Sequence, residues 1–351
     1  MQEKEAKQDV DELLTMELIK TRLSTDLKAA AIEMTANEAR FLVDAYYIHQ
    51  ANRIRLKNQS RSLGKVEPHK LIDFLGANSE RIEKILASVL KVYAKNTEVG
   101  KWCMSITGIG PVITAGLLAH IDIAKAPTAG HIWSYAGLLP KIVWLGKKQV
   151  DPFLADLGIT SKTVTIEQIH QVAEEMNRRP QTIIDAMRSY GDKEKFTLAN
   201  LKRAIKRRPF NQNLKDLCWK IGESFKRNSF RPNCVYGHIY VGRKRYEEKN
   251  NQEKKYQKQA EESLATKNYS KSTEAYKWYS QGMLPPARLD LRAMRYATKL
   301  FLAHLHWVWF EIYYEQPAPK PYIITHGKFE HAHIIEPVGY TPLATQNKQK
   351  K

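Results

Sequence analysis

The sequence predicts a mainly α protein: a helical hairpin or coiled coil, followed by a helix-hairpin-helix domain that carries an inserted helix-turn-helix-like module. Three observations carry this. Apolar residues recur at helical spacing from residue 8 to residue 100, with almost no Gly or Pro. A Gly108-Ile109-Gly110-Pro111 turn separates two short apolar runs rich in small residues. Near the C-terminus, ARLDLRAMRYATKLFLAHLHWVWFEIYYEQ keeps the helical period over about thirty residues.

Taken in order, residues 1–100 read as a helical hairpin or coiled-coil spacer, with its arms divided at SLGKVEP, residues 62–68. Such hairpins serve as spacers or dimer contacts. Residues 101–240 read as the helix-hairpin-helix domain, with an insertion at about 149–208. Within it, Leu214, Leu217, Cys218, Ile221 and Phe225 fall on one helical face. Residues 241–283 are mostly charged with few large aliphatics, and read as a charged helical arm extended into solvent. Residues 284–351 supply the C-terminal helix and a His-containing tail with a frayed Lys/Gln end.

The 351 residues carry 56 Lys+Arg against 37 Asp+Glu, a formal charge of +19 at pH 7. Between 141 and 250, 23 Lys+Arg face 12 Asp+Glu, so over half of the excess lies in under a third of the chain. A polyanionic partner, DNA first, is the simplest reading, because each neutralised phosphate releases a counterion. Aromatic residues at 10% and hydrophobic residues at 43% exclude global disorder. No apolar run reaches the ~18 residues that span a bilayer. The opening MQEKEAKQDVDELL is charged where a signal peptide is apolar, so the expected location is cytoplasmic and nucleoid-associated, with no membrane partner. Cys103, Cys218 and Cys234 are isolated, which excludes a disulfide framework and a zinc knuckle.

Residues 106–115 fit an apolar-x-Gly-apolar-Gly hairpin between two helices. Without side chains at Gly108 and Gly110, the turn amides among Gly108, Ile109, Gly110 and Val112 and the following helix N-terminus can approach a phosphate. Pro111 suits the first helical turn. The plainer reading is a tight turn between packed helices. Residues 165–188, TIEQIHQVAEEMNRRPQTIIDAMR, resemble a helix-turn-helix, with Ala173 at the small position, Asn177 where the turn tolerates positive φ, and Ile183 entering the core. Thr165 is placed to cap the first helix with Gln168. Arg179, Gln181, Thr182, Asp185 and Arg188 then lie on or near a reading helix, although ordinary two-helix corners share the pattern.

Lys202, Arg203, Lys206, Arg207 and Arg208 crowd like charges at a helix end closed by Pro209, and a phosphate would relieve their repulsion. A solvated face is the alternative. Lys147 and Lys148, ahead of the inserted module, complete the DNA-binding set. His304, His306, His326, His331 and His333 cluster near Glu330 and Glu336. On a helix, His304 and His306 diverge by about 200°, so no metal site is assigned. A hydrogen-bonded lid over the Trp307/Trp309 helix is expected instead. There is no Walker loop, dinucleotide turn, H-E-x-x-H or G-x-S-x-G. The helical N-terminal half offers no strand for the converging carboxylates of two-metal chemistry.

Residues 104–140, MSITGIGPVITAGLLAHIDIAKAPTAGHIWSYAGLLP, resemble the C-terminal domain of the DEDD insertion-sequence transposases related to the Piv invertase, the IS110 type. The shared features are the Gly-Ile-Gly-Pro hairpin, an alanine-rich helix and the Tyr135-Ala136-Gly137-Leu138 block. LKDLCWKIGESFKR and LPPARLDLRAMRYATKLFLAHLHWVWFE extend the resemblance more weakly. It implies DNA transposition or site-specific recombination, with the preceding helices as a coiled-coil spacer. It also implies a metal-binding RNase-H-like DEDD domain ahead of the hairpin and a nucleophilic serine just after Gly-Leu-x-Pro. That N-terminal domain is not seen in this sequence, and no serine occurs from Lys141 to Lys148. Ser134 precedes the block and Ser224 lies far beyond it, so catalytic residues are not identified. Mg2+ enters only with catalysis.

The expected function is that of a transposase-like DNA-binding protein of a mobile element, acting in transposition or recombination and self-associating through its N-terminal helices. The alternative is an RNA-binding or structural accessory protein that holds a guide or element RNA, with Trp144, Trp219 and Tyr236 beside the basic region as stacking groups. A metal-dependent hydrolase around the C-terminal histidines is the third reading.

Overall fold

The computed structural model describes residues 24–64, 70–139, 144–190, 196–320 and 334–345. The helical reading of residues 8–23, most of the SLGKVEP break, Lys141, His326, Glu330, His331, His333 and the Lys/Gln terminus lie outside the described residues. The fold is mainly α, as the sequence predicts: among the described residues there are fifteen α-helices, one short 3-10 helix and no strand. An isolated antiparallel bridge joins Thr163 and Thr197. The chain divides into two compact units, Met1–Pro127 with Lys220–Lys351, and Thr128–Trp219.

In the first unit, Ser24 caps α1 (Thr25–Glu33), and a reciprocal Thr35/Glu38 capping box starts α2 (Ala36–Leu63). The next helix, α3 (Lys70–Lys95), packs along α2. The seam is fixed by Glu83, buried and bonded by Arg53 Nε at 2.6 Å and Gln50 Nε2 at 3.2 Å. Thr97 caps α4 (Glu98–Ser105), and a turn leads to α5 (Pro111–His120). That last helix is apolar nearly all round and is enclosed accordingly. Val112 and Ala115 of α5 pack with Val43 of α2 and Leu90 of α3. The hairpin is therefore part of the core that seats α5, a role its own periodicity does not reveal.

The second unit contains α6 (Ala129–Tyr135), α7 (Val150–Asp156), α8 (Ile166–Glu175), α9 (Pro180–Arg188) and α10 (Leu198–Lys206). Val150, Leu154, Ile169, Val172, Ile183, Met187, Leu201 and Ile205 share one buried cluster. The Tyr-Ala-Gly-Leu block is a helix terminator. Gly137 has φ +64°, its N–H bonds Ser134 O, and Leu138 N–H bonds Trp133 O, the paired bonds of a Schellman end. Phe210 lies where a Cβ on Gly137 would fall, at 2.8 Å. Asn211 Oδ1 then accepts from Leu214 N and opens α11 (Gln212–Arg227), which begins in the second unit and ends in the first. The expected α11 face is buried at Leu214, Leu217, Cys218, Ile221 and Phe225.

The remainder of the first unit is α12 (Val235–Gln252), α13 (Gln257–Thr266), α14 (Glu274–Ser280) and α15 (Pro286–Tyr314). Its aromatic centre joins Trp102, Phe225, Tyr236 and Phe301, with ring centroids 4.9 to 6.0 Å apart. The extended arm expected over 241–283 is not what forms. After α12 the chain turns at Lys254, φ +56°, and α13 and α14 fold back to bury Tyr256, Ala260, Tyr279, Leu284 and Leu289 together. Tyrosines supply the apolar area that a count of aliphatics misses. Glu247, 1% exposed, accepts from Arg243, Arg292 and Tyr256, so this one carboxylate of the stretch is paired inward.

Candidate nucleic-acid interface

The glycine turn connects α4 to α5. Ile106 N–H bonds Cys103 O and Ile109 N–H bonds Ile106 O, which closes the turn tightly. Gly108 sits at φ +98°, a conformation that L side chains rarely adopt, and a Cβ there would meet Phe225 Cδ1 at 3.2 Å. Its carbonyl accepts from Ser224 Oγ at 2.6 Å. Gly110 differs: its φ is −93°, and a Cβ would meet nothing within 4 Å. It is the N-cap of α5 and offers no side-chain cap, while Pro111 at the first position has no N–H. Ile109 and Val112 side chains are buried, while Thr107, Gly108, Gly110 and Pro111 are half-buried.

In the second unit, Thr165 and Gln168 form the expected reciprocal capping box at α8. Ala173 is fully buried, Asn177 takes φ +48° and Ile183 is 1% exposed. Gln181, Thr182, Asp185 and Arg188 are exposed on α9, with Arg179 exposed at its N-cap. Gln181 Nε2 bonds Asp185 Oδ1 at 2.7 Å. The preceding Arg178 is the fastener of the module: its guanidinium donates to Ala204 O, Ile205 O and Arg207 O at the C-terminal end of α10. Burial pushes its pKa down to about 10. A cation there satisfies the carbonyls of Ile205 and Arg207, adds a second bond to Ala204 O, which already accepts from Arg207 N–H, and complements the negative end of the helix. It also sets the α8–α9 turn beside the basic end of α10.

That basic end is not uniform. Lys202 Nζ bonds Asp151 Oδ1 at 2.7 Å, and the ammonium holds the Asp151 carboxyl below the ordinary carboxylate range. Arg208 lies with its guanidinium 5.1 Å from the centroid of the exposed Trp144 ring and bonds Gln212. Arg203, Lys206 and Arg207 are exposed at the end of α10, and Lys147 and Lys148 are exposed before α7. The sequence-predicted set thus divides: Gly108, Ile109, Gly110 and Val112 belong to the first unit, and the basic and α9 residues to the second.

The histidines on α15 have separate partners. His304 lies between Tyr236 OH, 2.7 Å from Nδ1, and Ile335 O, 2.9 Å from Nε2, while His306 bonds Ala126 O. Residues 334–345 lie against this helix: Glu311 accepts from Trp307 Nε1, Ala318 N, Tyr340 OH and Leu343 N, and Trp102 Nε1 donates to Val338 O. Among the described residues no group of three or more His, Cys, Asp or Glu could hold a metal ion. Burial raises the Cys103 thiol, and Cys218 is pushed up to about 12, so neither is a ready nucleophile. Ser224 is engaged by Gly108.

Sequence reasoning passed over two residues. Arg178 was legible as one cation beside Arg179 with no sign of its carbonyl partners. Phe230, 78% exposed between Arg227 and Arg231, lies off every helical stripe. No helix of the described residues is long and apolar enough to cross a membrane. No curated protein and no solved structure matches the chain. Residues 101–152, which include the C-terminal part of α4, the glycine turn, α5, α6 and the Tyr-Ala-Gly-Leu terminator, match the Transposase IS116/IS110/IS902 family.

Proposed function

We propose that the chain is a transposase-like DNA-binding protein of a mobile element, acting in DNA transposition or recombination and residing with the nucleoid. The match at 101–152 supports the transposase-like role. The observation that carries DNA binding is the uncapped, sterically open N-terminus of α5 at Gly110 within that matched segment. In this reading α4, the turn and α5 are a helix-hairpin-helix whose backbone amides take a phosphate. Residues of 149–208 act as the inserted module, with α9 presenting Gln181, Thr182 and Arg188 to base edges while Arg179, Arg203, Lys206 and Arg207 hold backbone. Self-association runs through α2 and α3. A second reading, RNA binding without catalysis, is favoured by the Arg208–Trp144 stack, which has the composition of a base platform.

The test is binding to labelled duplex DNA, a four-way junction and single-stranded RNA across a salt series, with and without Mg2+, with products examined for strand breaks. Salt-steep duplex or junction binding without breaks is expected. Binding confined to RNA would replace the reading by its alternative. Failure to bind any probe would overturn both, and Mg2+-dependent cleavage would assign catalysis to residues not identified above.

A further inference from the structure

The glycine turn has a neighbour that no motif announces. Ser224 Oγ donates to Gly108 O at 2.6 Å, Asn228 Nδ2 donates to Ser224 O at 2.8 Å, and Cys234 Sγ lies 3.7 Å from Thr107 O. These bonds lay the loop between α11 and α12, residues 228–234, beside the turn. The loop is itself tied down. Arg231 N–H bonds Asn228 O, Cys234 N–H bonds Arg231 O, and Ser229 Oγ bonds Lys226 O. Gly237 of α12 approaches so closely that an added Cβ would lie 2.7 Å from Ser229 Cα.

On this fixed loop Phe230 stands 78% exposed. Its burial contributes nothing to the core, and none of the loop hydrogen bonds involves its side chain. Two arginines flank it in sequence: the Arg231 guanidinium is 5.7 Å from the ring centroid, and Arg227, whose side chain is 74% exposed and lies 3.7 Å from the Glu223 carboxylate, precedes it. An aromatic ring held out in water between two arginines, next to a proposed phosphate contact, has the composition of a base-stacking site. Contact with a second copy of the chain is disfavoured because it would bring like-charged loops together on a protein of net charge +19.

We propose that Phe230 stacks on an unpaired nucleobase of the strand whose backbone is held at the Gly110 turn, with Arg227 and Arg231 on the adjoining phosphates. This rests on the nucleic-acid reading above. A phenyl ring has no hydrogen-bonding group, so the site accepts any base and selects for unstacked geometry rather than sequence.

The experiment uses the full chain with Phe230→Ala, Phe230→Leu and Phe230→Trp. The probes are a paired DNA duplex, the same duplex carrying one unpaired 2-aminopurine nucleotide, and an RNA duplex with the same bulge. Phe230→Ala is expected to weaken binding to a bulged probe about tenfold while changing paired-duplex binding little. Phe230→Trp should restore it, and 2-aminopurine emission should fall on binding to the unaltered chain and to Phe230→Trp but not to Phe230→Ala or Phe230→Leu. A response with only the DNA or only the RNA bulge still supports stacking and names the strand. Unchanged binding by Phe230→Ala, equal weakening on paired and bulged probes, or a change confined to oligomeric state would overturn the stacking role while leaving the nucleic-acid reading in place. If the unaltered chain binds no probe, both fall together.

Discussion

Gly108 and Gly110 sit two residues apart and do different work, which allows fold and contact to be separated by the same chemical change. Gly108→Ala puts a methyl at φ +98° against Phe225 and is expected to cost about 1–3 kcal/mol of stability in urea unfolding. Gly110→Ala meets open space at an ordinary φ and should cost at most about 1 kcal/mol, yet weaken duplex binding by standing in front of the α5 amides. Normal duplex affinity in Gly110→Ala would remove the phosphate contact from this turn. His304 gives a pH prediction. Burial pushes its imidazole down to about 4, from 6.5 when exposed, so the unfolded chain binds the proton first as pH falls. Stability from this residue is full above about 6.5 and is lost progressively toward 4, to a total of about 3 kcal/mol. Unfolding of the wild type and His304→Gln at stepped pH should show the wild-type advantage shrinking over that window. A bare turn at both glycines was readable because Gly-x-Gly-Pro is a local pattern. The close packing at Gly108 was not, since Phe225 and Ser224 reach it from more than a hundred residues away.

Among the elements, the α8–α9 corner was the most legible, because each part of it is coded within a few residues. The Thr165/Gln168 box, the small Ala173, the left-handed Asn177 and the buried Ile183 all occupy the positions expected of them. Its attachment was not legible, since Arg178 reaches carbonyls 26 to 29 residues ahead. Arg178→Met is expected to lower the stability of the second unit by about 2–3 kcal/mol. Amide exchange over Leu198–Arg207 should accelerate most, and uniform acceleration across α7 to α10 would show that the guanidinium is not a local cap. Residues 241–283 misled for the same physical reason. Their charged composition suits an arm, but Asn251 exchanges two bonds with Leu284, and Glu247 meets Arg292 from 45 residues away. A charge that will find a buried partner looks identical in sequence to one that faces water.

At the scale of the whole chain, the +19 charge follows from composition alone, whereas its division between internal pairs and open surface is set by the fold. Lys202, Arg178, Arg243 and Arg292 are engaged internally, so the cations left for a ligand are fewer than the basic cluster suggests. Converting Arg203, Lys206 and Arg207 together to Gln should reduce the slope of log affinity against log salt by about 2–3. The same replacement at Lys202 should change the slope little and instead loosen Asp151 of α7. A slope unmoved by the triple replacement would place the backbone elsewhere. The long-range bonds of the first unit also set an order of assembly during synthesis. The buried cluster of the second unit draws only on residues 150–205 and its immediate flanks, so it can close while the ribosome is still adding α12 to α15. Trp102, by contrast, waits for Val338, 236 residues later, and Gly108 waits for Ser224. The nascent chain can therefore carry a folded second unit while the glycine turn still lacks the side chains that seal it. A translation stall with Trp219 already clear of the ribosome and Val338 not yet added would leave a protected second unit and an exposed first unit, a pattern that limited proteolysis of stalled chains would read directly.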